Sequence, residues 1–309
     1  MRVFAQEEDT RAGPVWAMPE PVTLTIVNPQ QRVLFDPVRD ANPFFHVMEF
    51  IWMMCGRRDT AWLSQFNKRI ETFADNGDMH DAYGYRWRRH FFSCDQIVAV
   101  IRLLKNDPKT RRAVIAMWDP ASDLAPGFNS YPCNTHIYFR VRGGCLDMTV
   151  CNRSNDLIWG MLGANAVHMT LLHELIAHFS GIALGQYTVF TNNCHVYKSV
   201  PKFDDIWKTN VVYDPYWDKR EVLTPQPLFE LGDTDIQYFF MDCQAFLQGE
   251  FNLINNRWLA ETAYWMYKSY MARVGAKGEP GGLGMAQARK IASTDWSFAC
   301  QQWISRRTL

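Results

Sequence analysis

Two strand-like segments joined by a pair of glycines constrain the fold of this 309-residue chain more than any other feature. The segments are NTHIYFRVR at 134–142 and CLDMTVCN at 145–152, with Gly143 and Gly144 between them. Glycine readily takes the positive φ angles that a two-residue hairpin turn requires. The sequence therefore predicts an antiparallel hairpin. A long helix in AVHMTLLHELIAHFSG and a further strand in QYTVFTNNCHVY are predicted to follow it.

The rest of the chain mixes helices with strands, and helical patterns dominate after residue 205. Antiparallel strands interspersed with helices predict the α+β class. We expect a mixed sheet with packed helices over residues 1–204, and an extra, divergent helical C-terminal region over 205–309 that packs on this core. The other predicted elements are a strand in PVTLTIV, a turn and short strand in NPQQRVLFDP, helices in FFHVMEFIWMMCG, TAWLSQFNKRIETFA and DQIVAVIRLLKNDP, and a strand in RRAVIAMWD.

Composition excludes several classes of protein. Hydrophobic residues make up 48% of the chain, and 32 basic residues balance 32 acidic ones, so the basic surplus typical of proteins that coat nucleic acids is absent. No apolar run reaches the roughly 20 residues that span a bilayer, and the first residues do not resemble a signal peptide. The eight cysteines are scattered and include no CxxC pair. We expect a cytoplasmic protein with reduced thiols and no metal, membrane or nucleic-acid partner.

One cysteine, Cys133 in the segment YPCN, stands where a loop meets an apolar strand. Most free cysteines are small buried hydrophobes, and that interpretation stays open here. The alternative is a nucleophile, whose thiolate needs cationic neighbours. The candidate cations are Arg111, Arg112 and Arg153. Three guanidinium groups near one thiol would lower its pKa, and they could also clamp a phosphate.

Other polar residues stand out against apolar surroundings. Glu49 lies in the middle of the helical segment MEFIW, where a carboxylate is costly unless it is paired or functional. The polar run 152–156 precedes the most apolar helix, and helix N-termini favour anions. His195 and Tyr197 alternate on one strand and therefore face the same side. The ordinary alternatives are a solvated loop and a structural histidine.

Together these segments resemble the thymidylate synthase family, including its nucleotide hydroxymethylase branch. The likeness is collinear over roughly residues 10–200. No single piece is decisive, but chance does not produce so many pieces in the family's order and spacing. The pieces are TRAG with Arg11, MEFIWMMCGRRD, DAYGYRWR, LLKNDPKTRRAVI, the nucleophile motif YPCN, NRSNDLIWG and CHVY.

The resemblance implies a reaction and its catalytic groups. Cys133 would attack C6 of a pyrimidine nucleotide, so that C5 becomes nucleophilic toward the one-carbon unit of the cosubstrate, 5,10-methylenetetrahydrofolate. Glu49 would manage proton transfer through water, and Tyr83 would shape the floor of the site. Asp156 would bind the folate pterin, and Trp87 would also contact the cosubstrate.

The resemblance also implies how a pyrimidine nucleoside monophosphate is held, and that the enzyme is a homodimer. The implied contacts are Arg11, Arg153 and Ser154 to the 5′-phosphate, Arg111 and Arg112 to the phosphate site of a partner subunit, and His195 and Tyr197 to the sugar 3′-hydroxyl.

The chain departs from the family's pattern where the base is read. After RS-x-D the synthases carry G-x-P-F-N, whose Asn contacts the O4 and N3 edge of uracil. Here Ala164 takes that position and Asn165 follows it, so Asn165 could substitute only if the helix starts one residue later. Asn134 follows the nucleophile where the synthases usually carry His, which would change the hydrogen bonding around the base. The choice between dUMP and dCMP stays open on these residues.

The C-terminal third departs most. The synthases end in a short tail that closes over the folate, whereas helical, Trp-rich sequence stands here. Shielding from water decides whether a methylene group on C5 takes a hydride, giving methyl, or water, giving hydroxymethyl. We therefore predict 5-hydroxymethylation of dUMP or dCMP. The alternatives are a thymidylate synthase that releases dihydrofolate, and a catalytically silent nucleotide-binding protein. Synthesis of a modified base would suit a virus, with the enzyme in the host cytoplasm.

Overall fold

A computed structural model describes residues 4–91, 94–200, 215–217, 223–275 and 282–307. The strands in these regions are β1 Gln6–Thr10, β2 Gly13–Ala17, β3 Val22–Ile26, β4 Val114–Ala116, β5 Asn134–Arg142, β6 Cys145–Asn152, β7 Asn155–Asp156, β8 Ala183–Thr191 and β9 Cys194–Tyr197. They form a five-stranded sheet, in the order β3-β8-β6-β5-β4, and a four-stranded sheet, in the order β1-β2-β9-β7. β6 pairs with β8, and β7 with β9, in parallel, while the other pairs are antiparallel. The predicted mixed sheet is confirmed.

The main helices of the described regions are α1 Pro43–Met54, α2 Gln96–Asn106, α3 Ala164–Ser180, α4 Ile236–Gln248, α5 Tyr264–Gly275, α6 Gly282–Ala288 and α7 Thr294–Ser305. Side chains cap the first two, because Asn42 accepts from the N–H of Phe45 and Asp95 accepts from the N–H of Val98. α1 and α3 are buried along most of their length. Within the described residues, no helix has the length and apolar character needed to cross a membrane.

The predicted hairpin is present and leads into the active-site region. Gly143 (φ 56°) and Gly144 (φ 84°) form its turn, and Asn134 at the start of β5 pairs with Asn152 at the end of β6. α3 then packs on the sheet and returns the chain to β8, ending at Gly181 with φ 70°. The hairpin therefore brings the residue before β5, Cys133, beside the polar run that follows β6.

The C-terminal helices pack against α1. The ring of Phe44 lies 5.5 Å from that of Tyr270 and 5.3 Å from that of Trp303, measured between centroids. Arg307 donates to Asp40 just ahead of α1. This packing is what a helical extension lying on the core requires. The predicted boundary at 204–205 falls outside the described residues.

Three local predictions are wrong. The segment TAWLSQFNKRIETFA forms two short 3₁₀ segments, Leu63–Gln65 and Lys68–Phe73, because Asn67 takes an extended conformation and caps the second one. NPQQRVLFDP forms no strand; its Arg32 is instead held by the Pro29 carbonyl and the Glu174 carboxylate. QYTVFTNNCHVY is divided between β8 and β9, which belong to different sheets.

Candidate active site

Cys133 lies at the entrance to β5, and the residue after β6 fixes its backbone. The N–H of Arg153 donates to the carbonyl of Cys133 at 2.9 Å. The Arg153 guanidinium also donates to the carbonyls of Pro132 (2.9 Å) and Tyr131 (3.1 Å). The thiol is free and half-buried. This geometry holds the half-buried cysteine on a rigid support, as a nucleophile requires.

The electrostatics of this thiol differ from the sequence-based prediction. Burial raises the pKa of Cys133, the Arg153 guanidinium opposes that effect, and the charges of Asp81 and Asp156 add to it. Arg111 and Arg112 are exposed ahead of β4. Within one chain the net effect is a raised pKa, with Arg153 as the arginine that opposes it; a contribution from Arg111 and Arg112 stays a prediction. The thiol is protonated at neutral pH unless a further cation or a bound substrate changes its surroundings.

Glu49 projects from the middle of α1, and its side chain is only 16% exposed. Burial, followed by the charge of Asp81, raises the pKa of Glu49 to about 8. The Nε2 atom of His168 lies 3.4 Å from Glu49 Oε2 and 3.0 Å from the carbonyl of His46. Because burial lowers the pKa of His168 to about 4, this histidine is neutral. Glu49 is therefore a carboxylic acid at neutral pH and can donate a proton.

Tyr83 is affected by the charges of both the Cys133 thiol and a second carboxylate that sequence reasoning missed, Asp81. Burial raises the pKa of Tyr83 well above its ordinary value, and the charges of Cys133 and Asp81 add to the shift. The N–H of Asn134 donates to the Tyr83 side chain. In the sequence, Asp81 in DAYG looks like an ordinary loop aspartate. Only its proximity to Glu49 and Cys133 in the fold reveals it.

Trp87 and Asn134 are both buried, whereas we expected Trp87 to contact the cosubstrate and Asn134 to affect the hydrogen bonding around the base. Trp87 is fully buried, with its ring 6.4 Å from that of Tyr83, so it offers a cosubstrate no surface. Asn134 is buried, and its amide donates to Asn152 at 3.0 Å. Successive side chains of a strand point to opposite faces, and here Cys133 takes the accessible side. In this conformation Asn134 supports the start of the sheet, and Trp87 supports Tyr83.

Two amides meet at the N-terminus of α3, which begins at Ala164 without the one-residue shift. The Asn165 amide nitrogen lies 3.5 Å from the Asn155 side-chain oxygen. Gly160 permits this approach, because a Cβ atom there would stand 2.2 Å from that oxygen. The Asn155 amide nitrogen is buried and has no hydrogen-bond partner among the described residues. This end of the site therefore carries amide groups although Ala164 has none.

The predicted sugar and phosphate residues lie along one side of the site. The rings of His195 and Tyr197 are 5.2 Å apart on one face of β9. The Ser154 hydroxyl lies 3.5 Å from Nδ1 of His195. Arg11 is exposed and donates to the carbonyl of Asn129 at 3.2 Å. Tyr197 feels the charges of both Arg11 and Arg69, and sequence reasoning missed the second of these arginines.

Asp156 presents a free carboxylate oxygen beside an exposed indole ring. Its Oδ1 accepts from the N–H groups of Ile158 (2.7 Å) and Trp159 (2.6 Å), while its buried Oδ2 has no partner among the described residues. The Arg39 guanidinium lies 4.8 Å from the centre of the Trp159 ring, which is 47% exposed. The Nη1 atom of Arg39 is also buried without a hydrogen-bond partner in the described regions. An acceptor, a donor and a flat apolar surface fit the hydrogen-bonding edge and ring of a pterin.

Metal binding has no candidate ligands in the described part of the chain, since no three His, Cys, Asp or Glu side chains cluster there in a suitable arrangement.

Comparison with known proteins identifies the family of this chain. A family model described as thymidylate synthase matches residues 39–210. A Pseudomonas phage M6 protein named deoxyuridylate hydroxymethyltransferase is 39% identical over 97% of this chain and 87% of its own length. A Bacillus phage SP01 protein of the same name is 33% identical over 71% of this chain, but the match spans only 62% of that protein.

A solved structure supports the fold independently. The crystal structure of thymidylate synthase from T4 phage gives a TM-score of 0.54 at 22% identity, covering 68% of this chain and 76% of that one. The α+β prediction is confirmed. The chain belongs to the thymidylate synthase family, which also confirms the family and the enzyme class predicted from its sequence.

Proposed function

We propose that this enzyme transfers the one-carbon unit of 5,10-methylenetetrahydrofolate to C5 of dUMP and adds water, giving 5-hydroxymethyl-dUMP and tetrahydrofolate. The observation that carries this proposal is the match to the Pseudomonas phage M6 deoxyuridylate hydroxymethyltransferase, which extends over 97% of the chain. The match therefore includes the C-terminal helices that distinguish this chain from the synthases. The phage relatives also favour a location in the host cytoplasm.

In this proposal the reaction starts with the sulfur of Cys133. Its bond to C6 of uracil removes the aromatic character of the ring and makes C5 a nucleophile. The developing negative charge at O4 needs a proton donor, and Glu49 holds a proton at neutral pH. Because burial keeps the thiol protonated, the thiolate must form within the complex, where Arg153 stabilises it.

The cosubstrate supplies a carbon at the oxidation level of formaldehyde. Asp156, Arg39 and Trp159 would hold its pterin beside Cys133. Water at that carbon gives a hydroxymethyl group with no change of oxidation state, whereas a hydride gives a methyl group and leaves dihydrofolate. The two products separate the proposed function from that of a thymidylate synthase.

The proposal includes uracil as the base, as the names of the phage relatives indicate. We infer that the Asn155 and Asn165 amides contact the base edge, because the Asn155 amide nitrogen is buried without a partner among the described residues. An amide carries both a donor and an acceptor, which match O4 and N3–H of uracil. The rate of reaction with dCMP, compared with the rate with dUMP, measures this preference for uracil directly.

The product assay is the first prediction. Incubation with dUMP and methylenetetrahydrofolate is expected to give a nucleotide heavier by CH₂O and no rise in dihydrofolate absorbance. dCMP is expected to react at least about tenfold more slowly, because its base edge is mismatched. A methylated nucleotide with stoichiometric dihydrofolate would contradict the proposal and identify a synthase.

We also propose that two chains form each site, with Arg111 and Arg112 reaching the partner's phosphate. Both arginines are exposed ahead of β4, the strand that ends the five-stranded sheet. A face of that sheet carries large exposed rings, with Tyr138 43% exposed and stacked on His136 at 6.0 Å between centroids. An exposed aromatic patch on a sheet is typical of a subunit interface.

Mixing two inactive variants tests this arrangement. Cys133→Ala and the double variant Arg111→Ala/Arg112→Ala are each expected to be inactive alone. After subunit exchange, half of the dimers carry one intact site, so about a quarter of the wild-type activity should return. Failure to recover activity from mixtures shown to contain mixed dimers, or an active monomer in analytical ultracentrifugation, would rule out a shared site.

A further inference from the structure

A second carboxylate, Asp81, is hydrogen-bonded to Ser130 on the segment that leads to Cys133, and its charge also acts on Glu49. Its charge acts on the Glu49 carboxyl, the Cys133 thiol and the Tyr83 hydroxyl. It precedes Tyr83 by two residues in the chain and is only half-buried. Among the described residues Asp81 forms no ion pair, although the charges of Arg86 and His80 act on it.

The hydrogen bonding of Asp81 accommodates a change of protonation. The buried Ser130 hydroxyl lies 2.8 Å from an Asp81 carboxylate oxygen and 3.0 Å from the Phe73 carbonyl. When Asp81 is ionised, Ser130 can donate to it. When Asp81 carries a proton, it can donate to the Ser130 oxygen while that hydroxyl turns toward Phe73. The Ser130 hydroxyl and the Asp81 carboxyl group therefore keep a hydrogen bond to each other in both protonation states.

The proposed function, on which this inference rests, requires a base at its last step. Water is a weak nucleophile, and the carbon it must attack is a methylene group on C5. Glu49 already carries a proton and lies against His168. Two neighbouring carboxyl groups do not both ionise readily, which divides them into one acid and one base. Burial raises the pKa of Asp81, and the Ser130 hydroxyl opposes that shift by stabilising the ionised form.

We propose that Asp81 is the general base that takes a proton from the water attacking the C5 methylene carbon. The new C–O bond uses a water electron pair, and the displaced methylene π electrons move onto C5, C4 and O4. The proton of water passes to the Asp81 carboxylate. The electrons then restore the C5–C6 double bond and expel the Cys133 thiolate, so no oxidant or reductant is consumed. Asp81 finally returns its proton to solvent.

The experiment separates the last step from the earlier ones. Tritium at C5 of dUMP is released after the sulfur and the one-carbon unit have been added, but before water attacks. With enzyme in excess, Asp81→Asn is expected to release tritium within about threefold of the wild-type rate and to form hydroxymethyl product at least about 100-fold more slowly. An added thiol, which needs no base, should trap the methylene nucleotide as a thioether of defined mass.

Three variants complete the test. Asp78→Asn is the matched control, because Asp78 lies on the same loop but pairs with Arg58 at the surface, and it should behave as wild type. Asp81→Glu should restore part of the product rate. Should Asp81→Asn fold poorly, Ser130→Ala provides the second test: it should slow product formation while tritium release persists.

Two results would overturn the assignment. Asp81→Asn could form hydroxymethyl product at the wild-type rate, or it could lose tritium release and product to the same extent. A wild-type enzyme that makes a methyl product with dihydrofolate would instead refute the proposed function itself, so the two failures are distinguishable.

Discussion

Replacement of Cys133 by alanine is expected to abolish turnover, lowering kcat by at least about 10⁴-fold, because no other group can make the bond to C6. The nucleotide should still bind, since the arginines proposed to contact its phosphate do not depend on the sulfur. Steady-state assays and calorimetric titration with dUMP measure the two effects separately.

Cys145→Ala is the matched control for this substitution. Cys145 is also a half-buried free cysteine of this hairpin. It lies at the turn, whereas Cys133 lies at the opposite, open end of the hairpin. It should retain wild-type activity. Turnover by the Cys133→Ala enzyme above the background of the assay would show that the reaction does not proceed through this sulfur.

Replacement of Glu49 by glutamine is expected to lower kcat by about 10³-fold, since it removes the proton donor at O4 while keeping the shape of the side chain. The pKa of Glu49, near 8, predicts that wild-type activity falls above that pH as the acid is lost. The residual activity of Glu49→Gln should lack this alkaline decline. Exposed Glu71 on the 3₁₀ segment supplies the control Glu71→Gln. An unchanged pH profile in Glu49→Gln would contradict the role.

The same substitution should stabilise the folded protein. A carboxyl group whose pKa is about 8 when folded and 4.5 when unfolded binds more protons in the folded state, so stability is present at acid pH and falls as pH rises between those values. Glutamine cannot ionise, so it avoids the loss of stability that accompanies ionisation of a buried carboxyl group. Glu49→Gln is therefore expected to gain about 1–3 kcal/mol at pH 7, seen as a higher Tm, and little at pH 4.

Most of the fold that positions the site could be predicted from local sequence. The paired glycines predict the hairpin, and the apolar run after residue 164 predicts α3. The segment around Asn67 could not be predicted well. Its helical spacing of apolar residues gives no sign that Asn67 takes an extended conformation and begins a new turn.

The site was less predictable than the fold, because its chemistry depends on distances between remote segments. Cys133 and Glu49 stand out in the sequence, one at a loop–strand junction and the other in an apolar helix. Asp81 does not stand out, since a loop aspartate is ordinary until the fold brings it to Glu49. Arg111 and Arg112 are exposed, and within their own chain their charges are not among those that act on the Cys133 thiol, so their role stays a prediction that depends on a second subunit.

The source of the oxygen atom in the product tests the account most directly. The reaction is run with dUMP and methylenetetrahydrofolate in ¹⁸O-labelled water, and the nucleotide is weighed by mass spectrometry. We predict a hydroxymethyl nucleotide that carries one ¹⁸O atom, with tetrahydrofolate as the second product. A methyl nucleotide that carries no ¹⁸O, formed together with dihydrofolate, would contradict this account.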